Sequence, residues 1–213
     1  MHKQVLTRKE KERSFRRNAI MDAAVGSFAK KGYRDTTLDE IAVAAEFGKG
    51  TIYNYFKSKE DIYTYIIDNV SLRLYEIIKQ ADSETKNTLD FITVYSRLLM
   101  KYCFENRDAF MIFVREAAHF TTDIFITDRR KLVKRHNQVK DLLMNKIADG
   151  IRRKEIKDFD PQKLSTVYEN LILPYILFLI NHNKNDLDQK KETEFILSVF
   201  FGGIMNTNSQ VSS

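Results

Sequence analysis

Seven glycines and two prolines are all the backbone breakers in 213 residues, and that scarcity limits the fold before any motif is read. A proline stops a helix interior, and a glycine weakens one by about 1 kcal/mol against alanine. A chain with so few of either, and with long stretches of Leu, Ile, Lys and Glu between them, is expected to be all-α. Apolar periodicity and cap signals predict nine helices, at about 9–31, 38–45, 49–56, 58–80, 84–104, 107–118, 122–154, 161–182 and 190–206.

The caps are explicit. Thr37 to Glu40 reads as a capping box, in which the threonine hydroxyl takes an orphan N–H and the glutamate reaches back. Ser58 caps the fourth helix, with Glu60 and Asp61 in its favourable first turn. Asp160 followed by Pro161 marks another start. The last two helices carry apolar residues around more than one face, whereas a surface helix needs only a stripe. Packing inside the chain and across a dimer would account for that, with Gly202 and Gly203 allowing close backbone approach; a central place in a monomer is the plainer alternative. Pro174 is expected to kink the eighth helix.

Charge divides the chain. Residues 1–59 hold 13 Lys and Arg against 7 Asp and Glu, and residues 60–213 hold 22 of each. The excess suits an N-terminal part that meets a polyanion, joined to a neutral remainder. The expected domains are therefore 1–59, which meets the polyanion, and 60–213, the neutral remainder. One cysteine, Cys103, excludes a disulfide framework and points to a reducing, cytoplasmic setting. The longest apolar run, ten residues from Leu171 to Ile180, is too short for a membrane span, which needs about twenty. His2, His119, His136 and His182 lack metal-ligand spacing, and no nucleophile has an evident base, so neither an enzyme, a metal nor a cofactor is expected.

The third helix, within "GKGTIYNYFKSKED", carries the functional signal. On a helical wheel Ile52 and Phe56 point together into a core. Asn54 lies opposite, beside Gly50 and Thr51, with Tyr53 and Tyr55 flanking. Small residues at the N-terminal end let the backbone approach base edges. Lys49 and Thr51 have the chemistry to read bases, and Asn54 to join them or take a phosphate. The tyrosines can donate to phosphates, and Lys59 adds charge. A preceding helix ended by a tight break completes a helix-turn-helix. The same residues also suit a generic interhelical corner, with the tyrosines packed and the lysines solvated. A helical ligand-binding or structural protein with weak operator recognition thus stays open.

The span Arg16–Tyr63, with "AKKGY", "TTLDEIA", "KGTIYNYF" and "KSKEDI", resembles the N-terminal domain of the TetR family of transcriptional regulators. The resemblance implies a homodimer, usually a repressor, released from a palindromic double-stranded operator by a small effector. It implies base contacts at Lys49, Gly50 and Thr51, phosphate contacts at Tyr53, Asn54, Tyr55 and Lys59, and a phosphate at the helix-two N-terminus beside Thr37. It also implies dimerisation through helices eight and nine and an effector site among helices five to eight. Aromatics in that region, Tyr95, Tyr102, Phe110, Phe113, Phe120, Tyr168 and Tyr175, would suit a lipophilic or aromatic effector, although aromatics at helical spacing are commonly core. Two departures stand in the turn: Glu46 where the family has glycine, at a cost of roughly 1 kcal/mol if left-handed, and Gly48 where it has a serine cap. The basic residues Lys3, Arg8, Lys9, Lys11, Arg13, Arg16 and Arg17 make either a flexible minor-groove arm or a solvated helix extension.

Overall fold

The computed structural model describes residues 7–118, 129–182 and 187–204. Among these it has nine helices: α1 Arg8–Asp35, α2 Leu38–Ala44, α3 Lys49–Tyr53, α4 Lys59–Glu84, α5 Thr88–Glu105, α6 Arg107–Ala118, α7 Arg129–Arg152, α8 Pro161–His182 and α9 Gln189–Ile204. The all-α expectation holds. Two of the expected helices extend beyond the described residues, at 122–128 and 205–206.

Two compact units divide the chain. One comprises the described residues of Met1–Val70 and Asp108–Arg129, the other those of Ser71–Arg107 and Arg130–Ser213. The first unit thus takes in the start of α4 and most of α6, more chain than the basic segment 1–59.

Local chemistry sets the helix ends in the first unit. Thr7 and Glu10 form a capping box that starts α1, so Arg8 to Arg17 are helical and not a flexible arm; Lys3 lies outside the described residues. The helical run is broken at Gly32, where φ is 81°, a conformation that costs glycine little and other residues more. α1 buries Ile20, Ala24 and Phe28, α2 buries Ile41 and Ala42, and α3 adds Ile52, followed by Phe56. Each fully buried isoleucine contributes about 1.5–3 kcal/mol through area removed from water.

In the second unit, Asp160 caps α8 through a bond from the Lys163 N–H at 2.9 Å. By length and composition alone α8 could cross a membrane, but its Leu164, Tyr168, Ile172, Ile176 and Leu179 are buried within its own unit. The helix continues through Pro174, which is exposed. Phe91 and Ile92 of α5 and Leu197 and Phe200 of α9 complete this core. Close backbone approach occurs at Gly150, where a Cβ would lie 2.7 Å from the Thr88 hydroxyl. Gly202 and Gly203 have open space within the described chain. Nothing in the structure explains Gly26.

Candidate nucleic-acid interface

The α2–α3 corner is assembled from short-range bonds. Thr37 accepts from the Glu40 N–H at 3.2 Å, and Glu40 accepts from the Thr37 N–H at 2.9 Å. Lys31 donates to the other Glu40 oxygen at 2.5 Å. The Lys31 bond first, and the Thr37 bonds after it, hold the Glu40 carboxyl down at about 2. Although Glu40 reaches solvent, its negative charge is fixed over the first turn of α2, where the helix dipole favours it.

Glu46 is left-handed, with φ 57°. Its N–H donates to the Val43 carbonyl at 3.1 Å, and that of Phe47 to the Ala42 carbonyl at 3.0 Å. This pair of bonds is a Schellman ending, normally built on glycine. The turn is therefore kept in spite of the glutamate. Gly48 then starts α3 with no side-chain cap.

α3 is shorter than the sequence suggests, ending at Tyr53 instead of Phe56. Asn54 donates to the Thr51 carbonyl at 3.2 Å and Tyr55 to that of Ile52 at 2.9 Å, a tightening of the last turn that often closes helices. Ile52 and Phe56 are still both buried. Opposite them Lys49, Gly50, Tyr53 and Asn54 are exposed, and Thr51 and Tyr55 are half-buried. The expected face is thus presented, with Tyr53 at 57% exposure too open to be a packing residue. Thr37 is exposed at the start of α2.

Two lysines of the expected set have partners. Lys49 forms an ion pair with Asp39 of α2; both side chains are largely exposed, so the pair is weak and exchangeable. Lys59 is held more firmly. Its ammonium donates to the carbonyls of Tyr33 at 2.7 Å, Arg34 at 3.2 Å and Thr36 at 2.7 Å. It also lies 4.4 Å from the Tyr33 ring centre. A phosphate contact by Lys59 has to compete with these bonds. Ser58 caps α4 as expected, accepting from the Asp61 N–H at 3.2 Å, while Asp61 accepts from the Lys57 N–H at 2.9 Å.

The aromatic residues expected to line an effector site are dispersed. Tyr95 and Tyr168 meet in the second unit with ring centres 6.1 Å apart. The hydroxyls of Tyr168 and Ser96 share a 2.7 Å bond, and Phe91 and Phe200 close the cluster. Tyr102 is half-buried, and burial pushes its phenol up to about 12. Tyr175 turns to α9, donating to Glu192 and packing against Phe195. Phe110 and Phe113 belong to the first unit, Phe110 being fully buried, and Phe120 lies outside the described residues. None of these seven lines the apolar groove of about 430 Å³ between α8 and α9, formed by Phe159, Lys163, Val167, Leu171, Val199 and Phe200 among others. Phe178 of α8 and Phe195 of α9 are also exposed. Sequence reading missed this groove's residues individually, although the unusually broad apolar coverage of both helices was their signal.

Residues 20–66 match the family model described as bacterial regulatory proteins, tetR family. The chain is similar to an uncharacterised HTH-type transcriptional regulator, YhgD of Bacillus subtilis (strain 168), at 30% identity over 181 residues, covering 84% of this chain and 90% of the relative. Among solved structures it is similar to the ketosteroid transcriptional regulator KstR2 of Mycobacterium tuberculosis, with TM-score 0.77, 19% identity and coverage of 90% and 95%. It is also similar to AibR in complex with isovaleryl coenzyme A and operator DNA, with TM-score 0.71, 18% identity and coverage of 86% and 97%.

Proposed function

The chain belongs to the TetR family of bacterial transcriptional regulators, and from that premise we propose that it is a cytoplasmic, homodimeric repressor released from a palindromic operator by a small lipophilic effector. The observation that carries the reading is the face of α3. It is a five-residue helix anchored from behind by Ile52 and presenting Lys49, Gly50, Tyr53 and Asn54 outward.

In this reading Lys49, Gly50 and Thr51 meet base edges in the major groove. Lys49 exchanges Asp39 for a base or a phosphate as it docks. Tyr53, Asn54 and Tyr55 donate to the phosphates on the groove walls. Thr37 brings the N-terminus of α2 to another phosphate. Lys59 contributes charge at the α1–α2 corner while holding its carbonyls. The dimer forms through the exposed apolar side chains of α8 and α9, Val167, Phe178, Phe195 and Val199, where a second copy supplies the cover that Gly202 and Gly203 leave room for. Two modules binding two half-sites would raise affinity well beyond that of either alone.

For the effector, the aromatics of α5 and α8, buried Tyr95 and Tyr168 with half-buried Tyr102, and Tyr175 on α8 and Phe110, Phe113 and Phe120 as further candidates, favour an apolar or aromatic molecule. Of the structurally similar regulators, one is described as a ketosteroid transcriptional regulator, and another is in complex with isovaleryl coenzyme A, whose acyl group is apolar. Because Tyr168 is 1% exposed, entry of a ligand there must part the cluster, and such a rearrangement is what a two-state regulator needs.

Fluorescence anisotropy on a duplex from upstream of the protein's own gene, with a scrambled duplex alongside, tests the reading across a salt series. Tight binding to the first that survives salt able to strip the second is the expected result. Equal, weak and fully salt-sensitive binding to both, and to operators chosen by genome-wide selection, would remove the regulator assignment.

A further inference from the structure

A partly buried arginine of the first unit has no carboxylate partner among the described residues. Arg17 of α1 lies over the Tyr65 ring at 4.0 Å and over the Phe56 ring at 5.1 Å. Its Nε is buried without a hydrogen-bond acceptor. No carboxylate pairs with the guanidinium, and none of its N–H groups reaches an acceptor among the described residues. The neighbouring Arg16 is different: it bonds Glu12 at 2.7 Å.

Buried polar groups without partners are few in folded proteins, and each needs an account. Two aromatic faces offset part of the cost of holding a guanidinium out of water. They do not supply acceptors, and an arginine carries five N–H donors in a fixed fork. The arrangement orients the fork, leaves Nε without an acceptor and keeps the terminal nitrogens open to solvent. That is a suitable resting state for a group whose acceptor arrives from outside, because little side-chain freedom remains to be lost when it binds. The position specifies the acceptor. Phe56 directly follows Tyr55 at the C-terminal end of the recognition segment, and Tyr65 lies in the second turn of α4. Arg17 therefore stands beside the residue that follows Tyr55, one step along the chain from the segment that the proposed docking brings to the DNA backbone.

We infer that Arg17 is an additional phosphate contact of the DNA-binding unit, its guanidinium held by Phe56 and Tyr65 and completed by a backbone phosphate flanking the recognition helix. The inference rests on the DNA-binding reading above. It adds a residue from α1 to a face otherwise made by α2 and α3, and it gives Phe56 a second task beside its burial.

Arg17→Met separates contact from packing, since methionine can still lie against both rings. The expected variant melts within a few degrees of wild type and binds both duplexes more weakly. Its slope of log K against log salt is lower by about 0.9, the loss of one neutralised phosphate, with the preference for the native duplex unchanged. A wild-type slope would overturn the inference, leaving Arg17 as a packing residue only. If Arg17→Met does not fold, Arg17→Lys decides. Lysine keeps the charge and loses the fork, so the expected result is a wild-type slope with affinity about threefold to tenfold lower at an unchanged melting temperature. Wild-type affinity in that variant would overturn the inference. Wild-type protein that binds neither duplex in sequence-specific fashion would instead defeat the reading on which it rests.

Discussion

The α2–α3 corner and the α8–α9 face are both exposed, and they are built on opposite physical terms. The corner has a small apolar anchor and is shaped by directional bonds: a capping box where α2 starts and a Schellman ending where it stops. Each such bond is individually modest, and its charged members respond to pH and salt. The α8–α9 face has long helices, large side chains in water and few polar constraints. As the proposed dimer interface, it would gain strength with area removed from water and form with rising protein concentration. A regulator whose reading head is set by geometry and whose assembly is set by area can lose either without losing the other, and this separability is open to experiment.

The largest expected effect is on assembly. Val199→Asp places a charge in the middle of the apolar face and should shift the protein to monomer in sedimentation at micromolar concentration, with operator affinity falling by about a hundredfold or more. The fold of each monomer, followed by circular dichroism, should be unchanged. An intact dimer would mean that the face has another use. Next comes the anchor of the reading head. Ile52→Ala should destabilise the first unit by about 2–5 kcal/mol and accelerate amide exchange in α1–α3, leaving α8 protected; uniform acceleration would show that the two regions are not separable. A smaller change of opposite sign is expected at the turn. Glu46→Gly relieves a left-handed glutamate and should raise stability in urea by roughly 1 kcal/mol, with no loss of operator affinity.

The smallest effect is confined to acid. The Glu40 carboxyl is held at about 2 against an ordinary 4.5. A depressed carboxyl stabilises the fold above its unfolded pKa, and that contribution is lost as pH falls through the folded one. The α2 cap should therefore weaken progressively between about pH 4.5 and 2. Glu40→Gln should show a flatter helical signal across that window, and parallel titration curves for the two proteins would contradict the assignment.

The corner was legible because its determinants are local. Thr37 and Glu40 are three residues apart, as are Ser58 and Asp61, and the positions of Ile52 and Phe56 follow from helical spacing alone. Glu46 was readable as a strained turn residue for the same reason. The early end of α3 was not, since it depends on which carbonyl Asn54 and Tyr55 select within one turn. The effector aromatics were less legible still. Tyr95 and Tyr175 look alike along their helices, but one is packed on Phe91 and Tyr168 and the other turns to Glu192 and Phe195, a choice made by helices distant in sequence. Arg17 appeared as one of several basic residues in a row, and only folding brings Phe56 and Tyr65 to it. Among the glycines, the pair Gly202 and Gly203 drew attention by adjacency, whereas Gly150, isolated in α7, is the one pressed against Thr88.

The contact between Lys59 and the Tyr33 carbonyl closes a loop of 26 residues without a covalent bond. Everything from the end of α1 through α2, the turn and α3 lies between its two ends. Loop closure restricts all the chain it encloses, in the way a crosslink does, so a single ammonium limits the excursions of both helices together. While the closure persists, both helices of the motif belong to one closed loop of chain, tied where α1 ends and α4 begins.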